Sequence, residues 1–179
     1  MQRTEQTRSM VLPALMAALL CVLGPGAIPV GPVPLTMATL GLYLAGLLLG
    51  WKQGAVSAGV YLAMGLVGLP VFSGFTGGAG QLLGPTGGYL LGYLPLTLVA
   101  GLGKGAGTAG RLAAMTGGTA LLYLLGTAWY ALQSGLTFSA AGAVCVLPFL
   151  PGDAIKIVLA LILAPSLERA LERAGRMEG

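Results

Sequence analysis

The chain is built from long apolar stretches separated by short breaks. Three stretches hold no charged residue, namely 9–51, 53–103 and 112–152. Clusters of glycine and proline interrupt them at 24–34, 68–85 and 142–152. Because such clusters end helices, the pattern predicts six helices in a single membrane domain, 1–179. Their approximate limits are 9–24, 36–50, 53–68, 86–103, 110–132 and 151–172.

The amino-acid composition indicates whether these helices pack in water or in a lipid bilayer. Hydrophobic residues make up 56% of the 179 residues and charged residues 8%, whereas an average soluble domain carries about 25% charged residues. So few charges cannot cover a water-soluble fold, but an apolar outer surface suits a lipid bilayer. The sequence therefore predicts an all-α integral membrane protein with six transmembrane helices.

The basic residues indicate the orientation of the chain. Six spans place both termini on one side, and eight of the nine basic residues fall on that side. They are Arg3, Arg8, Lys52, Lys104, Arg111, Arg169, Arg173 and Arg176. Cytoplasmic loops carry the excess of lysine and arginine, so both termini are predicted to be cytoplasmic. The first apolar run is interpreted as an uncleaved helix, because its removal as a signal peptide would break this pattern.

The reactive side chains exclude several classes of chemistry. The chain has no histidine and two cysteines, which excludes a structural zinc site, a histidine-ligated haem and a Ser-His-Asp triad. Residues 105–110 match G-x-G-x-x-G, but no strand is predicted before them, so a dinucleotide site is rejected. The glycine-rich turn 101–105 lacks parts of a phosphate-binding loop. No metal, cofactor or nucleic-acid partner is predicted.

The ninth basic residue, Lys156, lies three positions after Asp153, next to an uncharged outer loop. A spacing of three places both side chains on one face of the last helix. Two interpretations remain open. Asp153 could cap the helix with Lys156 as its ion-pair partner, or the pair could face a pocket and bind a polar solute, since ionisable groups inside a span usually line a cavity.

The second outer loop, 68–89, is uncharged and rich in glycine, and it carries Phe72, Gln81 and Tyr89. Such a loop could fold over an apolar ligand as a lid, with Gln81 or Tyr89 supplying hydrogen bonds. The alternative is an ordinary interfacial loop with aromatic belt residues.

Five segments resemble, in order, the BioY family, the biotin-specific S components of energy-coupling factor (ECF) transporters. They are GPVPLT at 31–36, LAGLLLG at 44–50, GLPVF at 68–72, LGPTGGYL at 83–90 and PFLPGDAIK at 148–156. The resemblance implies the S-component fold, in a multi-pass protein of a prokaryotic plasma membrane. It also implies biotin near the outer face, contacts from Asp153 and Lys156, and no chemical step by the chain itself.

The resemblance extends to partners. A transmembrane T component and two ATPases are the implied partners, and Ala14 and Ala18 match the small residues that pack on the T component. One departure affects the site: where the family usually has Leu-Gln-Thr after Leu35-Thr36, this chain has Met37-Ala38-Thr39. The predicted substrate-binding residues are Asp153, Lys156, Tyr89, Gln81, Thr36, Phe72 and Gly88.

Three other functions stay open beside biotin capture. An S component for riboflavin or thiamine would need more aromatic stacking residues than the outer loops supply. An intramembrane enzyme would need paired polar groups at depth, whereas this chain has no histidine and one deep acid. In an assembly subunit without a ligand, Asp153 and Lys156 would merely pair with each other.

Overall fold

The computed structural model describes residues 2–29 and 33–177, and the side chains of 10–29 and 33–173. Gly31 and Pro32 of the GPVPLT segment lie outside the described residues. The described residues form eight helices and one two-stranded hairpin. The helices are α1 Gln2–Leu23, α2 Ala38–Leu49, α3 Trp51–Leu66, α4 Ala79–Leu83, α5 Gly87–Gly101, α6 Thr108–Ser134, α7 Phe138–Cys145 and α8 Leu150–Met177. The strands are β1 Ala27–Ile28 and β2 Leu35–Thr36, paired antiparallel.

The long helices differ from the predicted ones mainly at their ends, and the outer loops contain more structure than predicted. Helix α1 begins at Gln2 and α8 continues to Met177. The short helices α4 and α7 and the β1–β2 hairpin lie in segments that the sequence predicts to be loops. Helix α4 has five residues and α7 eight, too few for a helical period to stand out beside the neighbouring glycines and prolines.

Two helices of the described residues are long and apolar enough, by length and composition, to cross a membrane. They are Thr108–Ser134 with 27 residues and Leu150–Arg173 with 24. Met10–Leu23, Ala38–Leu49 and Gly87–Gly101 are apolar but shorter. A helix of 12 residues is about 18 Å long, whereas the hydrocarbon core of a bilayer is about 30 Å thick. Helix length thus supports two of the six predicted spans.

Helix α2 forms the centre of the bundle. All its residues are buried, and it contacts α1, α3, α5 and α8. Gly46 permits the close approach of α5, because a Cβ there would lie 2.8 Å from the backbone nitrogen of Gly101 and 3.0 Å from the carbonyl oxygen of Thr97. Such contacts are typical of small residues between membrane helices. The α2–α5 pair therefore depends on glycine at this position.

Most of the charged side chains that the structure describes lie at one end of the bundle. Nη2 of Arg111 lies 2.8 and 3.0 Å from the two carboxylate oxygens of Glu168, joining α6 to α8. Nζ of Lys104 donates to the carbonyl oxygen of Leu49 at 3.2 Å. Asp153 lies fifteen residues before Glu168 on α8, which separates the two by about 22 Å along the helix axis. The Asp153–Lys156 pair is therefore near the opposite end.

Candidate substrate-binding site

Asp153 and Lys156 form an ion pair in the first turns of α8. Pro151 suits the start of a helix because it has no N–H to leave unpaired there, and the backbone N–H of Asp153 donates to the carbonyl of Phe149 at 2.8 Å. The two residues are 5% and 4% exposed, and Nζ of Lys156 lies 2.8 Å from Oδ1 of Asp153. The spacing of three correctly placed them on one helical face.

Two other helices contribute to the pair. Nζ of Lys156 donates to Oγ1 of Thr39 on α2 at 2.9 Å, and the hydroxyl of Tyr123 on α6 donates to Oδ2 of Asp153 at 2.5 Å. Lys156 thus uses two of its three ammonium protons on described partners. Oδ1 of Asp153 also accepts from Oγ1 of Thr39 at 3.5 Å, whereas Oδ2 accepts only from Tyr123 and keeps a lone pair. The pair is held in position and can still bind a polar ligand.

A small cavity of about 40 Å³ adjoins this pair. Its lining is Val33, Pro34, Leu35, Thr36, Thr39, Tyr89, Tyr93, Leu122, Tyr123, Phe149, Asp153 and Lys156. A second cavity of about 20 Å³ shares Val33, Pro34, Thr36, Tyr89 and Tyr93 with it. Pockets for drug-sized ligands measure about 300–1,000 Å³, so such a ligand requires the cavity to enlarge.

The structure brings six of the seven predicted substrate-binding residues to these two cavities. Thr36 and Tyr89 line both, Asp153 and Lys156 line the first, and Gln81 and Phe72 line the second. Phe72 is buried, and its ring meets that of Tyr61 edge-on at 5.6 Å.

Gly88 and Ala38 line neither cavity. A Cβ at Gly88 would overlap the side chain of Trp129, so this glycine serves the packing of α5 on α6. The indole N–H of Trp129 also donates to the carbonyl of Gly84 at 2.9 Å, fixing the start of the LGPTGGYL segment. Ala38 is fully buried in α2. The segment therefore positions Tyr89 beside the cavity while its glycines make helix contacts.

Sequence reasoning missed Thr39, Tyr93 and Tyr123. Thr39 is 114 positions from Asp153 and Tyr123 is 30 positions from it, so no local spacing connects them. A signal for Thr39 was present: in the predicted helix 36–50 it follows Thr36 by three positions, the spacing of residues on one helical face, although the structure places Thr36 in β2. Tyr93 lies within hydrogen-bond distance of Thr36, with 3.3 Å between the hydroxyl oxygens.

The model of the BioY family matches residues 1–173. The chain belongs to the BioY family. It is 39% identical to the "Probable biotin transporter BioY" of Pyrococcus horikoshii over 163 residues, covering 91% of this chain and 98% of the relative. It is 36% identical to the "Biotin transporter BioY" of Thermotoga maritima over 165 residues, covering 90% and 96%.

A solved structure agrees with this BioY membership. The S-component for biotin from an ECF-type ABC transporter superposes with a TM-score of 0.86 at 31% sequence identity. The match covers 94% of this chain and 95% of that one. The family resemblance and the S-component fold that the sequence predicted are thereby confirmed. The BioY relatives are named as transporters, which places this chain outside the enzymes.

Proposed function

We propose that this BioY-family chain captures biotin at the Asp153–Lys156 pair, as the substrate-binding subunit of an ECF transporter. The observation that carries the proposal is a buried ion pair that keeps one ammonium proton and one carboxylate lone pair, on Oδ2 of Asp153, beside a cavity. If Lys156 served only as the ion-pair partner of Asp153, as in an assembly subunit, the pair would need no cavity beside it. The names of the BioY relatives and of the solved S component supply the identity of the ligand.

The pair suits biotin chemically in two arrangements. Asp153 can accept from an N–H of the ureido group, or Lys156 can donate to the carboxylate tail. The aromatic and aliphatic side chains of the cavities suit the apolar bicyclic body. Biotin methyl ester distinguishes the two arrangements: affinity equal to that of biotin indicates the ureido group, and a tenfold loss indicates the carboxylate.

Calorimetry of the detergent-purified chain tests the proposed ligand. We expect one biotin to bind per chain, with no heat of binding from riboflavin or thiamine, because the BioY relatives and the solved S component are named for biotin. A folded sample that binds riboflavin or thiamine instead of biotin, or none of the three, would refute biotin capture.

Replacing Tyr123 by phenylalanine is expected to weaken biotin binding at least tenfold while the chain stays folded. The substitution removes one hydrogen bond to the Asp153 carboxylate, and hydrogen bonds to charged groups contribute about 1.5–3 kcal/mol. Titration calorimetry measures the loss. Tyr130→Phe is the matched control, because Tyr130 lies two turns further along α6 and its hydroxyl has no hydrogen bond to a described residue. Equal affinities of the two variants would contradict a role for Tyr123.

We further propose six membrane crossings with both termini in the cytoplasm of a prokaryotic cell. The support comes from the grouping of charges at one end of the bundle and from the apolar shorter helices. These helices can cross if they tilt or if the bilayer thins locally. Asp153 and Lys156 then lie towards the outer face, where substrate arrives.

The proposed partners are a T component and two ATPases, which hydrolyse ATP while this chain carries out no chemical step. Ala14 and Ala18 are exposed on one face of α1, and small residues there allow a partner helix to approach closely. Ala14→Trp is expected to abolish copurification with the partners and to leave biotin affinity within twofold. Leu15→Trp, at a neighbouring exposed position, is the control. Retained copurification of Ala14→Trp would exclude this face as the contact.

A further inference from the structure

A larger cavity lies at the charged end of the bundle, away from Asp153. It measures about 490 Å³, within the range of pockets that bind small molecules. Leucines from α1, α2 and α8 form its apolar part, and Gly105 and five polar residues form the remainder. These five are Gln53, Lys104, Arg111, Glu168 and Glu172. Biotin capture, as proposed above, uses none of these residues.

The cavity is lined by two basic and two acidic side chains, of which only one of each sign form an ion pair with each other. Arg111 and Glu168 neutralise each other through their two short contacts. Lys104 donates to one carbonyl oxygen and keeps two ammonium protons. Glu172 has no hydrogen bond or ion pair with any described residue. One cation and one anion with spare hydrogen-bonding capacity thus line the same cavity.

Arg111 adds a second indication of a missing acceptor. Its Nη1 is buried and has no hydrogen-bond partner among the described residues. The large majority of buried side-chain polar atoms have a hydrogen-bond partner, and an unpaired donor on a charged group is costly. The Nε of the same side chain is satisfied by the carbonyl of Ala106 at 3.0 Å. The guanidinium therefore keeps one unpaired donor, and a ligand reaches this buried Nη1 if the Arg111 side chain turns towards the cavity.

We propose that this cavity binds the phosphoethanolamine headgroup of a membrane lipid. The phosphate accepts from Lys104 and the Arg111 guanidinium, the ammonium donates to Glu172, and the leucines contact the glycerol and the first acyl carbons. A purely anionic headgroup would leave Glu172 without a partner. A choline headgroup has no N–H to donate to Glu172. The charged end of the bundle is also where headgroups lie, because charged side chains are costly in the hydrocarbon core of a bilayer.

Native mass spectrometry of the detergent-purified chain with an equimolar mixture of phosphatidylethanolamine, phosphatidylcholine and phosphatidylglycerol tests this site. Matched acyl chains make the headgroup the only difference. We expect phosphatidylethanolamine to be retained about fivefold over each of the other lipids, as one weak, partly exposed ion pair predicts. Glu172→Gln should reduce phosphatidylethanolamine to the level of phosphatidylcholine. Lys104→Gln should reduce the retention of phosphatidylethanolamine and phosphatidylglycerol.

Lys52→Gln is the matched control, because Lys52 lies at the same end with its Nζ 5.0 Å above the Trp51 ring and outside the cavity. The Lys52→Gln variant should retain each of the three lipids to the same extent as the unaltered chain. Equal retention of the three lipids, a preference for phosphatidylglycerol, or a preference that survives both cavity substitutions would overturn the proposal. Displacement of the lipid by an equal concentration of glycerophosphoethanolamine would also overturn it, since the occupant would then be a soluble compound. All readouts are independent of biotin.

Discussion

Asp153→Asn is expected to abolish detectable biotin binding and to lower the free energy of unfolding by about 3–5 kcal/mol, the usual cost of breaking a buried ion pair. Asparagine has nearly the same shape, so the cavity keeps its form. The Lys156 ammonium, however, loses its counter-charge while it remains buried between α2 and α8. Thermal unfolding in detergent and titration calorimetry give the two quantities.

The double variant Asp153→Asn/Lys156→Met separates binding from folding. It removes both charges together, and replacing a whole buried pair by apolar groups is often neutral or stabilising. We expect its thermal stability to return to within a few degrees of the unaltered chain, while biotin binding stays absent. If the double variant binds biotin with its original affinity, the pair is structural and the proposed site is wrong.

Gly46→Ala is expected to lower the stability of the bundle by about 1–3 kcal/mol, the range for an overpacked core. The added Cβ would meet three backbone atoms of α5 at 2.8–3.1 Å, and backbone in two packed helices cannot turn aside as a side chain can. Thermal unfolding measures the loss.

Gly117→Ala on α6 is the control for this substitution. It is an exposed glycine in a helix interior, and the nearest atom to its added Cβ is a methyl of Val99 at 3.6 Å, an ordinary contact. We expect it to be neutral or to stabilise the chain by up to about 1 kcal/mol, because alanine favours helix over glycine. If Gly46→Ala unfolds at the same temperature as Gly117→Ala, α2 and α5 are not in close contact there.

The sequence predicted the features that depend on residues close together along the chain. The uncharged stretches located the long helices, and the spacing of three placed Asp153 and Lys156 on one face. The contacts of Tyr123 and Thr39 with that pair depend on how three helices pack, and spacing carries no information on packing. For the same reason Gly88 was assigned to the ligand, although its neighbour is Trp129, which is 41 positions away along the chain.

The two ends of the bundle offer cavities of very different size. The larger one lies among the charges at one end, and the smaller one lies beside the Asp153–Lys156 pair under segment 33–36. Size alone would place a ligand in the larger cavity. Charge and hydrogen bonding favour the smaller one for biotin, because its ion pair is buried and held by hydrogen bonds from two other helices.

A crystal structure of this chain grown with biotin decides between the two cavities. The account predicts biotin in an enlarged cavity beneath segment 33–36, with a polar atom of biotin within 3.2 Å of Asp153 or Lys156, a hydrogen-bond distance. It also predicts that the Tyr123 contact with Asp153 is retained. Biotin bound among Lys104, Arg111 and Glu172, with the Asp153 cavity still closed, would contradict the central claim.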